Sequence, residues 1–503
     1  MRTLMRIYLL THVLTSAVLV GAGLASVKVY AAEPLRLASV FTDNAVLQRG
    51  QAVPVWGKGE PGQAVVVAFA GQEKSAKVDK DGRWITNLDA LAASGKGQAL
   101  TATSGGEAIA IGNVLVGEVW VCSGQSNMAF GLGGSINGKA TIAAAGDDQL
   151  RLFNARAQAT DEPQESIGGS WAVDSSQSAG AFSAVGYYFG KALRKKLGVP
   201  VGLIKSAVGG TVAEAWTARE ELEKNPTLKP LIDVQQQRLD AYPKVLATYK
   251  EREPEILEKY EAAVKKAKAS GGRVPRKPRP PAHPSANKNR PIGLYNGSIA
   301  PLQPYAIRGA IWYQGESNSS RGQQYRTLFP AMISSWRRAW GQGDFPFLFV
   351  QITPHRNMTP EVREAQRVTT ETTQNTAMAV TTDIGHPTDI HPKQKQPIGE
   401  RLALAARSLA YEEDIEFSGP TYDSMSVEGN RVIINFKHLG GGLVAKDGEL
   451  KGFFVYDKDK EVAGTAKIEG DTIAVSSDEI SAPVGVRYGW ANVPDINFYN
   501  KAG

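Results

Sequence analysis

A serine hydroxyl becomes a nucleophile when a base takes its proton and hydrogen-bond donors receive the charge developing on the attacked carbonyl. Four stretches of this chain carry residues suited to those tasks. The first is Ser123-Gly124-Gln125-Ser126-Asn127-Met128, directly after the apolar run Val119-Trp120-Val121-Cys122. A serine just past the carboxyl end of a buried strand lies where open α/β sheets place ligands, so Ser126 is the candidate nucleophile. Amides opening a helix after it can receive an oxyanion. The Gly-x-Ser-x-Gly elbow is excluded, because Gly124 precedes Ser126 by two residues but Met128 follows it by two. The second stretch, Ile204 to Thr211, holds the pair Gly209-Gly210, which lets a backbone N–H approach a substrate oxygen closely. The third, Trp312-Tyr313-Gln314-Gly315-Glu316-Ser317-Asn318, brings amides and a carboxylate to a strand end. The fourth runs from Asp383 to Pro392 and contains His386, Asp389 and His391. Histidine titrates near neutral pH and suits the base, so His391 is the candidate, with Asp389 or Asp383 to orient it. A metal held by His386, Asp389 and His391 is the competing reading. No fourth ligand is visible, and we expect no metal and no cofactor. His355, after Pro354, reads as an ordinary loop histidine.

The elements that must position these residues follow from hydrophobic patterning. Val114–Cys122, Val199–Ser206, Ile307–Tyr313, Phe347–Ile352 and Ala377–Thr382 are apolar runs of strand length. Phe182–Lys196, Tyr325–Trp340 and Pro397–Tyr411 carry helical periodicity between or after them. Alternating strand and helix predict an α/β layer with a parallel sheet. Residues 33–112 show short β-type runs with turn chemistry between them, such as Asp79-Lys80-Asp81-Gly82, and predict a small β domain. Residues 414–503 return to short strands and predict a second β-rich module. The α/β part is therefore read as two pieces, 113–219 and 291–413. Between them, 220–290 reads as a helical hairpin broken at Pro243 and Pro254, followed by a basic, Pro-rich linker.

Composition narrows the class. At 503 residues the chain exceeds one core, and 42% hydrophobic content supports folded domains. Its only cysteine, Cys122, lies in an apolar run, so it forms no intramolecular disulfide and reads as buried. The net charge of +7 is local: Lys265, Lys266, Lys268, Arg273, Arg276, Lys277, Arg279, Lys288 and Arg290 fall in 265–290 with no acid among them. That is a solvated linker, and no nucleic-acid partner is expected. Arg2 and Arg6 beside an apolar stretch from Ile7 predict a signal peptide over residues 1–32, cut before Ala32 or Glu33, with an uncleaved anchor as the alternative. Export to the periplasm or the exterior follows, and no later segment is apolar for long enough to span a bilayer.

In order and content, the four stretches resemble the sialate O-acetylesterase family of the SGNH hydrolases. The matching strings are Gly117-Glu118-Val119-Trp120 with Ser123 to Met128, Gly209-Gly210-Thr211 with Glu214-Ala215-Trp216, Trp312 to Asn318, and Asp389-Ile390-His391-Pro392. Ala45-Val46-Leu47-Gln48-Arg49 and Pro54-Val55-Trp56-Gly57 extend the resemblance into the first β domain. It implies a three-layer α/β/α, flavodoxin-like catalytic domain with flanking β-sandwich-like modules, and metal-free hydrolysis of O-acetyl esters of carbohydrates. By that resemblance Ser126 attacks the acetyl carbonyl, His391 is base and then acid, and Asp389 orients it. The oxyanion hole would combine Ser126 N–H, a glycine N–H from Gly209 or Gly210, and the Gln314 amide, with Asn318 as its alternative. Gln125, Asn127, Gly210, Glu316 and Asn318 would line the substrate. The substrate class implied by the resemblance would be an acetylated sugar, either sialic acid or a polysaccharide such as xylan. A carbohydrate-binding protein without turnover on the same fold is the second reading.

Overall fold

A computed structural model describes residues 34–503. The predicted signal peptide lies outside the described residues. The organising element is an 18-residue strand, β1 (Glu107–Gly124). Its first half pairs antiparallel with Ser94–Ser104, and its second half enters a parallel sheet. That sheet also contains β2 (Leu150–Asn154), β3 (Trp171–Val173), β4 (Val201–Ala207), β5 (Gly309–Tyr313), β6 (Phe347–Val350) and β7 (Thr376–Ala379). The spatial order is β3-β2-β4-β1-β5-β6-β7, parallel except for β3 against β2. Chain order reverses at β1, with β4 on one side and β5 on the other. Such a switch point opens a crevice at the carboxyl ends of the strands.

Alternation along β1 sends Val119 and Val121 to one face and Trp120 and Cys122 to the other. Helices α1 (Ala184–Leu197) and α5 (Gln396–Tyr411) pack on the Trp120 face; α3 (Gly322–Trp340) and α4 (Pro360–Thr372) pack on the Val119 face. The fold is mixed α/β. Helix α1 begins where Ser183 Oγ accepts the Gly186 N–H at 3.1 Å, an ordinary N-cap. The Val119-face core continues without a gap into the N-terminal strands through Val53, Val55, Val65, Val67 and Trp84. The boundary read at 112 thus falls inside β1 and inside a shared core.

One expectation is corrected. The predicted helical hairpin over 220–290 is instead a single 41-residue helix, α2 (Lys229–Ala269), containing both Pro243 and Pro254. It is about 60 Å long at 1.5 Å per residue. None of its residues is buried, so carbonyls released by the prolines can bond water. Surface pairs such as Lys229 with Asp233 at 2.7 Å bridge successive turns. The chain then returns along α2 without further α-helix: Tyr242 donates to the Pro281 carbonyl at 3.2 Å and meets the His283 ring edge-on at 4.7 Å. Residues from Thr421 onward form small antiparallel sheets over their own core of Val432, Val455, Ile473 and Val475. Among the described residues no helix is long and apolar enough to cross a membrane.

Candidate active site

Three strand ends are stitched together beneath Ser126. The Gln125 N–H donates to the Tyr313 carbonyl at 2.9 Å, and the Val208 N–H to the Gly124 carbonyl at 3.1 Å. Gly124 is required here: its φ is +136°, and a Cβ would lie 2.2 Å from the Tyr313 carbonyl oxygen. The chain turns at once into a short helix from Ser126 to Ala129. Ser126 is half-buried, and its Oγ lies 2.8 Å from Nε2 of the half-buried His391. Residues 265 positions apart are thus at hydrogen-bond distance. Gly209 packs against the serine, since a Cβ there would stand 3.4 Å from Ser126 Cβ. Among the described residues the Gly209 and Gly210 N–H groups have no hydrogen-bond partner.

Beneath this pair lies a buried polar cluster. Asn127 Nδ2 donates to Glu316 Oε1 at 2.6 Å and to the Ile390 carbonyl at 3.0 Å, while Lys395 Nζ donates to Asn127 Oδ1 at 2.6 Å. The residue after Ser126 therefore holds the one before His391. Lys395 also faces the rings of Phe130 at 5.0 Å and Tyr313 at 5.3 Å. Burial pulls the Lys395 ammonium down to about 7, against the opposing charges of Glu316 and Asp389. Burial raises Glu316 above the usual carboxylate range; the Asn127 bond and Lys395 oppose that, and among the described residues its Oε2 has no hydrogen-bond partner. His391 is lowered first by burial and then by Lys395, with Asp389 opposing. Lys395 was not anticipated from sequence, where it is one more cation after His391.

Several anticipated residues do other work in this structure. Asp389 Oδ1 accepts the His391 backbone N–H at 2.9 Å. Among the described residues the ring Nδ1 has no hydrogen-bond partner, so Asp389 acts through the backbone and through its charge. Asp383 is engaged by Arg401 at 2.8 and 2.6 Å and is not an orienter of His391. The Gln314 amide spends both hydrogens, on the Thr211 carbonyl at 3.0 Å and Asn318 Oδ1 at 2.7 Å. It therefore frames the glycine loop instead of facing an oxyanion. Asn318 Oδ1 accepts the Ala213 N–H at 2.9 Å, and its Nδ2 donates to Glu214 at 3.0 Å. Gln125 Oε1 accepts the Ser317 N–H at 3.2 Å, tying the first stretch to the third. The His386 ring Nδ1 accepts the N–H groups of Thr388 and Asp389, which takes that lone pair from the competing metal set. Among the described residues no three His, Cys, Asp or Glu side chains are grouped to hold a metal. His355 Nδ1 accepts the Asn357 N–H in its own loop. Cys122 is buried in the sheet, and burial raises its thiol far above the ordinary value.

A family model described as carbohydrate esterase, sialic acid-specific acetylesterase, matches residues 116–270 and 293–408, more than half of the chain. The chain belongs to this family. It is a carboxylic ester hydrolase. The match runs through α2 and breaks only over 271–292. Sialate O-acetylesterase of Mus musculus is 29% identical over 448 residues, covering 80% of this chain and 79% of the relative. The Homo sapiens protein of that name is 28% identical over 447 residues, covering 80% and 76%. A crystal structure described as a carbohydrate acetylesterase from Xanthomonas citri is 34% identical, has a TM-score of 0.77 and covers 93% of this chain and 96% of its own.

Proposed function

We propose that this esterase removes acetyl groups from O-acetylated carbohydrates through an acyl-enzyme on Ser126, within an SGNH-type three-layer catalytic domain. The observation that carries the reading is the 2.8 Å approach of Ser126 Oγ to His391 Nε2 at the switch point of the sheet. The lowered pKa of His391 keeps its ring neutral and able to accept the serine proton at neutral pH. Ser126 Oγ then bonds the acetyl carbon while the Ser126 and Gly209 N–H groups receive the oxyanion. The protonated His391 gives its proton to the departing sugar oxygen. Water, deprotonated by the same ring, releases acetate and restores the serine. Asp389 and Asn127 act as positioning residues, through the His391 N–H and the Ile390 carbonyl. Neither a metal nor a cofactor has a part in this sequence of steps.

The substrate is an acetylated sugar, either sialic acid or a polysaccharide such as xylan, met in the periplasm or outside the cell after export. The test is acetate release from O-acetylated sialic acid and from acetylated xylan fragments, run in parallel with a Ser126→Ala control. Release above the control from either substrate supports the reading, and release from one alone names the class. Release from neither, with p-nitrophenyl acetate still cleaved, contradicts the sugar assignment and leaves the esterase chemistry.

A further inference from the structure

The segment that follows α2 ends against the glycine loop. Lys288 Nζ donates to the Gly209 carbonyl. Asn289 grips the next residues on both sides: its Nδ2 donates to the Gly210 carbonyl at 3.0 Å and its Oδ1 accepts the Val212 N–H at 3.2 Å. Immediately behind this pair, buried Arg290 lies 2.9 Å from the Asp161 carboxylate and donates to the Asn287 carbonyl at 3.2 Å. The Ile292 N–H reaches the Glu214 carbonyl at 2.9 Å. These contacts bracket the loop that packs on Ser126. They fall within 271–292, the stretch over which the family match breaks.

We propose that Lys288 and Asn289 are positioning residues for the esterase reaction, clamping the Gly209-Gly210 loop so that its N–H groups meet the oxyanion. This rests on the function proposed above. A cation on the Gly209 carbonyl fixes the Gly209–Gly210 peptide unit, and with it the tilt of the adjoining Gly209 N–H that receives the oxyanion in the reaction proposed above. Asn289 does the same, as a neutral donor, for the Gly210–Thr211 unit. A donor that must be pre-aimed at a developing charge gains from an outer bond that removes its freedom to tilt. Glycines have the most freedom to lose, and Gly210 already sits at a φ of +66°.

The test compares kcat and KM for acetate release from p-nitrophenyl acetate and O-acetylated sialic acid. The proteins are the full-length enzyme, Lys288→Met, Lys288→Arg, Asn289→Ala and, as a control in the same basic stretch, Arg276→Met. Lys288 is exposed and Asn289 half-buried, and equal thermal midpoints separate a kinetic loss from a folding loss. The clamp predicts that Lys288→Met and Asn289→Ala each lower kcat by about tenfold or more on both esters, with KM within about twofold. Lys288→Arg should recover most of the loss, and Arg276→Met should match wild type. Unchanged kcat in both variants overturns the clamp. So does a loss confined to the carboxylate-bearing sugar and seen in KM, which would make Lys288 a substrate contact. Wild-type activity no greater than that of Ser126→Ala on every ester would instead defeat the proposed function.

Discussion

Two glutamates are buried at opposite ends of the same parallel sheet, and they are treated differently. Glu118 opens the parallel half of β1. One of its oxygens meets Arg49, and the other accepts from Arg308 at 2.9 Å and from Gln48 at 3.0 Å. Glu316 lies past the far end of β5. One of its oxygens meets the neutral Asn127 amide, the other has no hydrogen-bond partner among the described residues, and the nearby cation Lys395 bonds that same amide. The first carboxylate is saturated and joins the N-terminal strands to the catalytic sheet. The second is left under-bonded beside Ser126 and His391. Charge that is paired in this way supports structure, whereas the under-bonded carboxylate opposes the downward pull of burial on Lys395, whose charge in turn lowers His391. Two strings that carried the sequence resemblance, Gln48-Arg49 and Gly117-Glu118, lie at this joint between the N-terminal strands and the sheet.

The contrast is broken most severely from the catalytic end. Because His391 is the base of the proposed reaction, His391→Ala should lower kcat by about four orders of magnitude or more, while the thermal midpoint barely moves. Glu118→Ala should do the reverse. It leaves Arg49 and Arg308 without their shared buried acceptor and should cost about 3–5 kcal/mol of stability in denaturant titration, with kcat of the folded protein unchanged. Lys395→Met gives the subtlest effect, a shift in pH profile. His391 titrates below its ordinary value, where Lys395, with a pKa of about 7, is still charged and pushes His391 down. Removing that charge should move the acid limb of kcat/KM to higher pH; a limb that stays or moves down would show that Lys395 does not tune the base.

Much of the site was legible because chemistry follows buried strands. Apolar runs ending in Ser126, Gly209 and Gln314 identified three strand ends, and parallel pairing brings those ends to one edge. The strands Leu150–Asn154 and Trp171–Val173 escaped notice because they are short, and the helix Pro360–Thr372 did so because its amphipathic pattern lies in a strongly polar segment. The hairpin expected at Pro243 and Pro254 failed because a helix with no buried residue can accommodate proline at the cost of a few hydrogen bonds. Lys395 was invisible as a buried cation, because burial comes from α5 packing against the sheet and not from local sequence. The assignment of Gln314 to the oxyanion hole failed for a related reason. Residue type supplies donors, but only the folded loop decides where each hydrogen is spent.

The central claim is that the acetyl group passes through Ser126. The most direct test is rapid quenching of the enzyme during turnover of an O-acetylated substrate, followed by peptide mass analysis. The account predicts an acetyl adduct on the peptide carrying Ser126, absent from Ser126→Ala, which should release no acetate above background. Turnover that persists in Ser126→Ala, or an adduct that forms on another residue, would contradict it.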